Sequence, residues 1–220
     1  MIKCTKNYYI CDMKDVLEVF GSVPVTTAAI ASLYPEVSGT HQKVAALDHS
    51  GKLLRLKRGL YVVHPEWSGR RINKELVANH LYAPSYVSML TALRWHGLIP
   101  ERVALVQSMS LKHSRRFENA LGSFDYICVD RAYFQIGLCQ GETDGETFII
   151  ASPEKALCDL VCATPGVVFR YQTEARAYLE EDLRLDMEAF HRFDQNILRA
   201  CAKAGKKTGT IETLIKLIDR

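Results

Sequence analysis

The chain has 220 residues, of which 48% are hydrophobic and 24% are charged, and its formal net charge is +3. These proportions are typical of globular proteins and exclude a disordered tail, a coiled coil and a collagen-like chain. No apolar run approaches the ~18 residues of a membrane span, residues 1–11 lack the apolar core of a signal peptide, and the seven cysteines are scattered, so we expect a cytoplasmic protein with reduced thiols.

The first third of the chain predicts three short helices followed by a strand hairpin. The predicted helices are 13–20, 26–33 and 40–49, and the predicted strands are 53–56 and 60–63. Gly21 and Gly51 end the first and third helices, and Thr26 or Thr27 caps the second. A basic turn with Gly59 in its last position joins the two strands and suits a tight hairpin.

The remainder of the chain predicts a mixed region with a helical C-terminal tail. Its predicted helices are 72–81, 85–96, 153–162, 173–182, 187–203 and 210–219, and its predicted strands are 103–109, 124–129, 133–138 and 147–150. We expect the strands to form a small antiparallel sheet, because they are short and separated by Gly, Asp and Asn. The polar segment Trp67–Asn73 is interpreted as a linker. The predicted fold is α+β, with a winged helix-turn-helix in residues 1–65 and a second domain in residues 66–220.

The positive charge is concentrated in the first third of the chain. Residues 1–65 hold eight Lys or Arg against five Asp or Glu, whereas residues 66–150 and 151–220 are balanced at nine against nine and eleven against eleven. Five of the eight cations lie between positions 43 and 58. Such a patch attracts polyanions through its own field, although a solvated surface is an alternative explanation for a patch of this size.

Three helices followed by a hairpin is the element order of a winged helix-turn-helix, whose third helix can enter the DNA major groove. The first turn of the helix at 40–49 would present side chains that hydrogen-bond to base edges, and the hairpin cations would reach phosphates. We predict duplex DNA as the partner. The predicted contact residues are Thr26, Thr27, Ser38, Thr40, His41, Gln42, Lys43, Lys52, Arg55, Lys57 and Arg58. A module that binds another protein is the alternative for this element order.

A nucleotidyltransferase motif is only weakly indicated. Gly122-Ser123 is followed by Asp125 and Asp130. The chemistry requires two metal-binding acids on a strand about ten residues beyond the Gly-Ser pair. Here the first acid follows two residues later, and acids five apart point to opposite faces of a strand. We therefore expect the chain not to be an enzyme.

The cysteines do not form a metal-binding pattern. Cys158 and Cys162 share one helix face, but no second Cys/His pair follows at zinc spacing. We expect Cys128, Cys158 and Cys162 to lie on apolar faces as structural residues. The sequence therefore predicts neither a metal nor a cofactor.

Four stretches of the chain combine into one recognisable pattern. They are residues 53–62, the segment 84–88 together with Ala92-Leu93 and residues 96–100, the pattern Gly122-x-Phe124-x-Tyr126, and residues 151–157 with Asp159-Leu160. Together they resemble the AbiEi-type antitoxins of bacterial type IV toxin–antitoxin systems. The resemblance spans roughly residues 13–200, and the second and last stretches are its most specific parts.

The resemblance implies both a fold and a function. Members of that family join an N-terminal winged helix, which represses their own operon, to a C-terminal domain that counters a nucleotidyltransferase-like toxin encoded alongside. This happens without a stable complex between the two proteins. The resemblance therefore implies a transcriptional repressor and antitoxin that binds its own promoter, as inverted repeats, and contributes to phage resistance. The alternative is a stand-alone winged-helix transcription factor whose second domain senses a ligand or dimerises.

Overall fold

A computed structural model describes residues 16–36, 39–101 and 104–219, and the chain divides into two compact units. The first unit ends at Ile72 and the second begins at Asn73. This division lies beyond the predicted boundary at residue 65, because Pro65–Ser68 forms a short helix that packs against the first unit. Each unit combines helices with a sheet, so the predicted α+β class is confirmed.

The first unit contains one three-stranded antiparallel sheet and four short helical segments within its described residues. These are a 3₁₀ helix at Val16–Phe20, β1 (Val25–Thr26), α1 (Thr27–Ala31), α2 (Thr40–His49), β2 (Leu53–Lys57), β3 (Leu60–Val63) and α3 (Pro65–Ser68). The strand order is β1-β3-β2, so β3 lies in the middle. The core is formed by buried apolar residues of the helices and the sheet, among them Leu17, Ile30, Val44, Leu47 and Leu53.

Local signals account for most of this unit. The Thr26 hydroxyl accepts a hydrogen bond from the Ala29 amide at 3.2 Å, which confirms the predicted cap of α1. The predicted bounds of α2 and the β2–β3 hairpin are also confirmed. Gly21 and Gly51 end their helices with φ of +53° and +75°. Positions 13–15 of the first predicted helix lie outside the described residues, and its described part is 3₁₀ rather than α-helical.

The second unit packs helices around a six-stranded sheet. Its elements are α4 (Lys74–Leu81), β4 (Ser85–Val87), α5 (Met89–Trp95), β5 (Val106–Ser110), β6 (Arg115–Asn119), β7 (Gly122–Cys128), α6 (Arg131–Phe134), β8 (Leu138–Thr143), β9 (Glu146–Ala151), α7 (Pro153–Ala163), α8 (Gln172–Ala177), a π-helical turn at Tyr178–Asp182, α9 (Met187–Phe190), α10 (Gln195–Ala204) and α11 (Thr208–Ile218). The strand order is β6-β7-β5-β4-β9-β8. The pairs β4–β9 and β5–β7 are parallel, so the predicted antiparallel sheet is wrong and the sheet is mixed.

The predicted helix over 85–96 is wrong in its first part. Residues 85–87 form the strand β4, which pairs with β5 on one side and with β9 on the other. Tyr86 and Val87 are fully buried, and a short, fully buried apolar run gives no periodicity that separates a strand from a helix. The helix begins only at Met89, after Ser88.

Other differences from the predicted elements have local causes. The predicted strand over 133–138 is wrong, because Tyr133 belongs to α6 and the strand β8 starts after Gly137, whose φ is +57°. The polar edge strand β6 was not predicted. The predicted helix over 187–203 is two helices, α9 and α10, and Asp194 caps the second. Of the predicted linker, Trp67 and Ser68 lie in α3.

A buried ion pair lies at the start of α7. The Lys155 ammonium lies 3.2 Å from an Asp159 carboxylate oxygen one helical turn away, and both side chains are fully buried. The other Asp159 oxygen accepts from the Ser88 hydroxyl at 2.6 Å. Lys155 also donates to the Tyr133 carbonyl at 3.0 Å and lies over the Tyr133 ring. Burial raises the pKa of Asp159, whereas the adjacent Lys155 opposes that change.

Removing one partner of this pair should destabilise the protein strongly. We expect Lys155→Met to cost about 3–5 kcal/mol of unfolding free energy, because it leaves the Asp159 carboxylate buried without its cation. The double variant Lys155→Met/Asp159→Asn keeps a partner for Ser88 and should regain at least about 2 kcal/mol. Urea unfolding measures both values. Equal free energies for the single and double variants would show that the pair carries no charge coupling.

Candidate nucleic-acid interface

The first turn of α2 presents polar side chains on the surface of the first unit. His41 and Gln42 are exposed, whereas Val44 and Leu47 further along the helix are buried. Gly39, the N-cap residue of α2, has no side chain to cap the first amides, and the Gln42 amide group lies beside it. Residues 40–43 form the N-terminal turn of α2, and His41 and Gln42 are its exposed side chains. Thr40 is half-buried at the start of this turn.

Lys43 is less accessible than the sequence suggests. Its ammonium lies 4.9 Å from the centre of the Tyr34 ring, and the side chain is half-buried. A cation over an aromatic face is attracted by the negative potential of the ring. Tyr34 follows α1 closely, so this contact holds the side chain of Lys43 against the segment that joins the two helices.

The β2–β3 turn lies beside the start of α1. The Thr27 amide donates to the Gly59 carbonyl at 3.1 Å, and Thr26 pairs with Leu60 across β1 and β3. Arg58 at the turn is exposed, and Lys57 is half-buried. The fold therefore brings the predicted residues Thr26 and Thr27 next to the basic turn, although Thr26 uses its hydroxyl as a helix cap. Gly59 has a φ of +78°, which the tight turn requires.

Arg55 connects β2 to the last turn of α2. Its guanidinium forms an ion pair with the Asp48 carboxylate at 2.7 Å and lies 5.6 Å from the centre of the Tyr61 ring. The Asp48 carboxylate raises the pKa of Arg55 above its ordinary value. The side chain remains 55% exposed, so it can contact a ligand, but the charge of Asp48 offsets its own.

Lys52 lies at the opposite end of the hairpin from the basic turn. Its carbonyl accepts from the His64 amide, and its ammonium lies 3.7 Å from the centre of the Trp67 ring. Lys57 lies five positions further along the extended chain, which corresponds to roughly 16 Å. The structure therefore does not bring Lys52 together with the turn cations. Ser38, the remaining predicted contact, lies outside the described residues.

The sequence did not reveal the partners that hold these cations. Tyr34, Asp48 and Trp67 each contact a predicted cation from another element. These contacts join residues between 7 and 15 positions apart, so no helical or strand periodicity indicates them. The only signal available was the presence of aromatic and acidic residues near the basic segment.

The acids of the weak nucleotidyltransferase motif, Asp125 and Asp130, lie on different elements of the second unit. Asp125 lies within β7, and Asp130 precedes α6. Among residues 16–36, 39–101 and 104–219, no three His, Cys, Asp or Glu side chains are grouped so that they could hold a metal ion. Cys158 is buried and Cys162 is half-buried, whereas Cys128 is exposed at the end of β7, where it follows the buried Phe124 and Tyr126 on the same face. No helix in the described part of the chain is long and apolar enough to cross a membrane.

A cavity of about 400 Å³ lies at the carboxyl ends of the parallel strands β5 and β7. Met109, Ile127 and Ala163 contribute apolar lining, and Asp130 and Lys206 contribute charged groups. Ligands of open α/β sheets commonly bind outside the carboxyl ends of the strands. The size and the mixed lining are compatible with a small amphipathic molecule.

A second cationic surface lies on the edge strand β6. The Lys112 ammonium lies 5.2 Å from the centre of the Tyr82 ring, and the Arg115 guanidinium lies 4.8 Å from the centre of the Phe117 ring. Lys74 places its ammonium beside Gly122, the first residue of β7. We call these three cations and two rings the β6 patch. The sequence did not predict this patch, because the charges of residues 66–150 sum to zero. The available signal was the absence of any acid in residues 104–117.

No protein-family model and no curated protein matches this chain.

Proposed function

We propose that the first unit is a winged helix-turn-helix that binds duplex DNA, and that the chain acts as a transcriptional repressor and antitoxin rather than as an enzyme. The proposal of DNA binding rests mainly on the order of elements in the first unit. A helix, a strand, two helices and a two-stranded hairpin follow one another, and β1 joins the hairpin to give the order β1-β3-β2. In this arrangement α2 is the helix that enters the major groove, and the β2–β3 turn is the wing.

The side chains of α2 and of the turn support DNA as the ligand. His41 and Gln42 are exposed in the N-terminal turn of α2, where they can reach base edges. Lys43, Lys57 and Arg58 can neutralise phosphates on either side of the groove. Lys52 contributes little in this proposal, because it lies near Trp67 at the far end of the hairpin.

The antitoxin role rests on the resemblance of the four stretches. In the second unit these stretches supply core residues, among them Tyr86, Ser88 and the Lys155–Asp159 pair. These buried residues of the stretches therefore contribute to the packing of the unit. A reading frame for a nucleotidyltransferase-like protein directly beside this one would support the proposal.

Charge reversal on the two proposed reading elements should abolish DNA binding. We expect Lys43→Glu/Arg58→Glu to lose at least about 100-fold in affinity for its own promoter, because each change replaces attraction to a phosphate by repulsion. The unchanged protein should show a slope of log K against log salt of about −4, for about four phosphate contacts. Fluorescence anisotropy with a labelled duplex measures both quantities.

The matched control alters the same number of charges on the second unit. Lys203 and Lys216 are exposed on α10 and α11, so Lys203→Glu/Lys216→Glu changes the net charge equally. It should leave duplex binding nearly unchanged. Equal losses in both double variants, with unchanged melting temperatures, would contradict the assignment of α2 and the turn.

Removing the acid beside Arg55 should increase affinity. In Asp48→Asn the Arg55 guanidinium loses its ion pair and becomes available to phosphate, so we expect about 3- to 10-fold tighter duplex binding at low salt. The fold should be unaffected, because solvent screens this exposed ion pair. The same anisotropy assay measures the gain. Unchanged or weaker binding by a folded variant would place Arg55 outside the interface.

Repression and toxin rescue should be separable if the two units have different tasks. Cells that express the neighbouring toxin from an independent promoter should grow when they carry the Lys43→Glu/Arg58→Glu variant, although this variant no longer represses its own promoter. Growth and a promoter reporter measure the two activities. Joint loss of repression and rescue in the folded variant would contradict a division of tasks between the units.

A ligand-responsive transcription factor is the second candidate function. The cavity at the carboxyl ends of β5 and β7 favours it, because a ligand there would contact α6, α7 and α10 together. This candidate predicts repression without any rescue from a neighbouring toxin. The rescue experiment therefore distinguishes the two functions.

A further inference from the structure

We propose that the β6 patch of the second unit binds single-stranded nucleic acid. This activity is independent of duplex binding by the first unit. It would give the chain a contact with single-stranded RNA or DNA on the unit to which we assign the antitoxin role.

The patch is built on a cluster of three aromatic rings. Arg115 lies opposite Tyr126 in the β6–β7 register, and Phe117 lies opposite Phe124, so these side chains share one face of the sheet. The Tyr82 ring lies 5.4 Å from Phe117 and 5.2 Å from Tyr126, measured between ring centres. Tyr126 is fully buried and donates to the Ala78 carbonyl of α4, which anchors the cluster.

The two outer rings of the cluster remain partly accessible. Tyr82 and Phe117 are half-buried, in contrast to Tyr126. The Tyr82 hydroxyl donates to the His113 carbonyl at 3.1 Å, which fixes the orientation of its ring. Two oriented and partly accessible rings can provide a surface on which bases stack.

The cations of the patch are available to an anionic ligand. Lys74, Lys112 and Arg115 are exposed, and none of them forms an ion pair within the described ranges of the chain. The neighbouring Arg116 differs, because it pairs with Glu118 at 3.2 Å. Lys112 and Arg115 each lie over a ring and are exposed, so a base that stacks there takes the place of the cation, which then contacts an adjacent phosphate.

The combination favours a single strand over other polyanions. An acidic peptide offers carboxylates to the cations but no flat groups to Tyr82 and Phe117. A duplex offers phosphates, but its bases are already stacked internally. A single strand offers phosphates and free base faces together, which matches both components of the patch.

The test uses the full chain with its duplex-binding surface altered. Protein carrying Lys43→Glu/Arg58→Glu is titrated against labelled oligo(U) and oligo(dT) of about 12 nucleotides. We expect binding with a slope of log K against log salt of about −2, for three phosphate contacts. Adding Lys112→Ala/Arg115→Ala should weaken binding at least about 10-fold and reduce the slope to about −0.7.

The matched control removes two cations from α10. Arg199 and Lys203 are exposed there, and Arg199→Ala/Lys203→Ala in the same background should bind the oligonucleotides nearly as well as its parent. Thermal melting of every variant shows that the exposed substitutions leave the fold intact. A charge-retaining Arg115→Lys change should lose less affinity than Arg115→Ala.

Four results would overturn the proposal. They are absence of binding by the parent, equal weakening in the α10 control, duplex binding as tight as that of the single strand, and competition by poly-glutamate as effective as that by an oligonucleotide of equal charge. The last result would identify the patch as a docking surface for acidic proteins. Because unit-one binding is already removed, failure of the winged-helix proposal leaves this test unaffected.

Discussion

The second unit depends on the buried ion pair between Lys155 and Asp159. A cation and an anion without access to water are tolerated only when their remaining hydrogen-bonding capacity is also met. Ser88 and the Tyr133 carbonyl meet part of it, so α7 must pack beside the end of β4 and beside α6. This requirement links residues 84–88 to residues 151–160, and it gives the polar residues of both stretches a structural role in the core.

The first unit follows from a different constraint, which is the burial of one side of α2. Val44 and Leu47 face the core, and His41 and Gln42 of the first turn are left exposed at the surface. The β3 strand pairs with β1 and β2 and thereby places the basic turn beside α1. The proposed duplex binding rests on two features of this unit, which are the exposed side chains of His41 and Gln42 and the cationic β2–β3 turn. The β6 patch likewise combines exposed cations with partly accessible side chains, which there are the aromatic rings of Tyr82 and Phe117.

Sequence reasoning succeeded where structure is set locally. The bounds of α2, the cap at Thr26 and the start of α7 each depend on residues within a few positions of one another. It failed for β4, whose hydrogen bonds run to β5 and β9, and whose buried residues show no periodicity. For the candidate site it identified the residue types on α2 and on the turn. It could not indicate that Asp48 offsets the charge of Arg55 or that Lys52 lies over Trp67, because both contacts join separate elements.

The central claim is that α2 and the β2–β3 turn form one surface for duplex DNA. Amide chemical-shift mapping of the full-length protein, titrated with a duplex from its own upstream region, tests this claim most directly. We predict that the largest shifts fall on residues 40–43 and 57–59, with small changes around Trp67 and Lys52. Shifts concentrated in α3 or in the second unit, with residues 40–43 unchanged, would contradict the account.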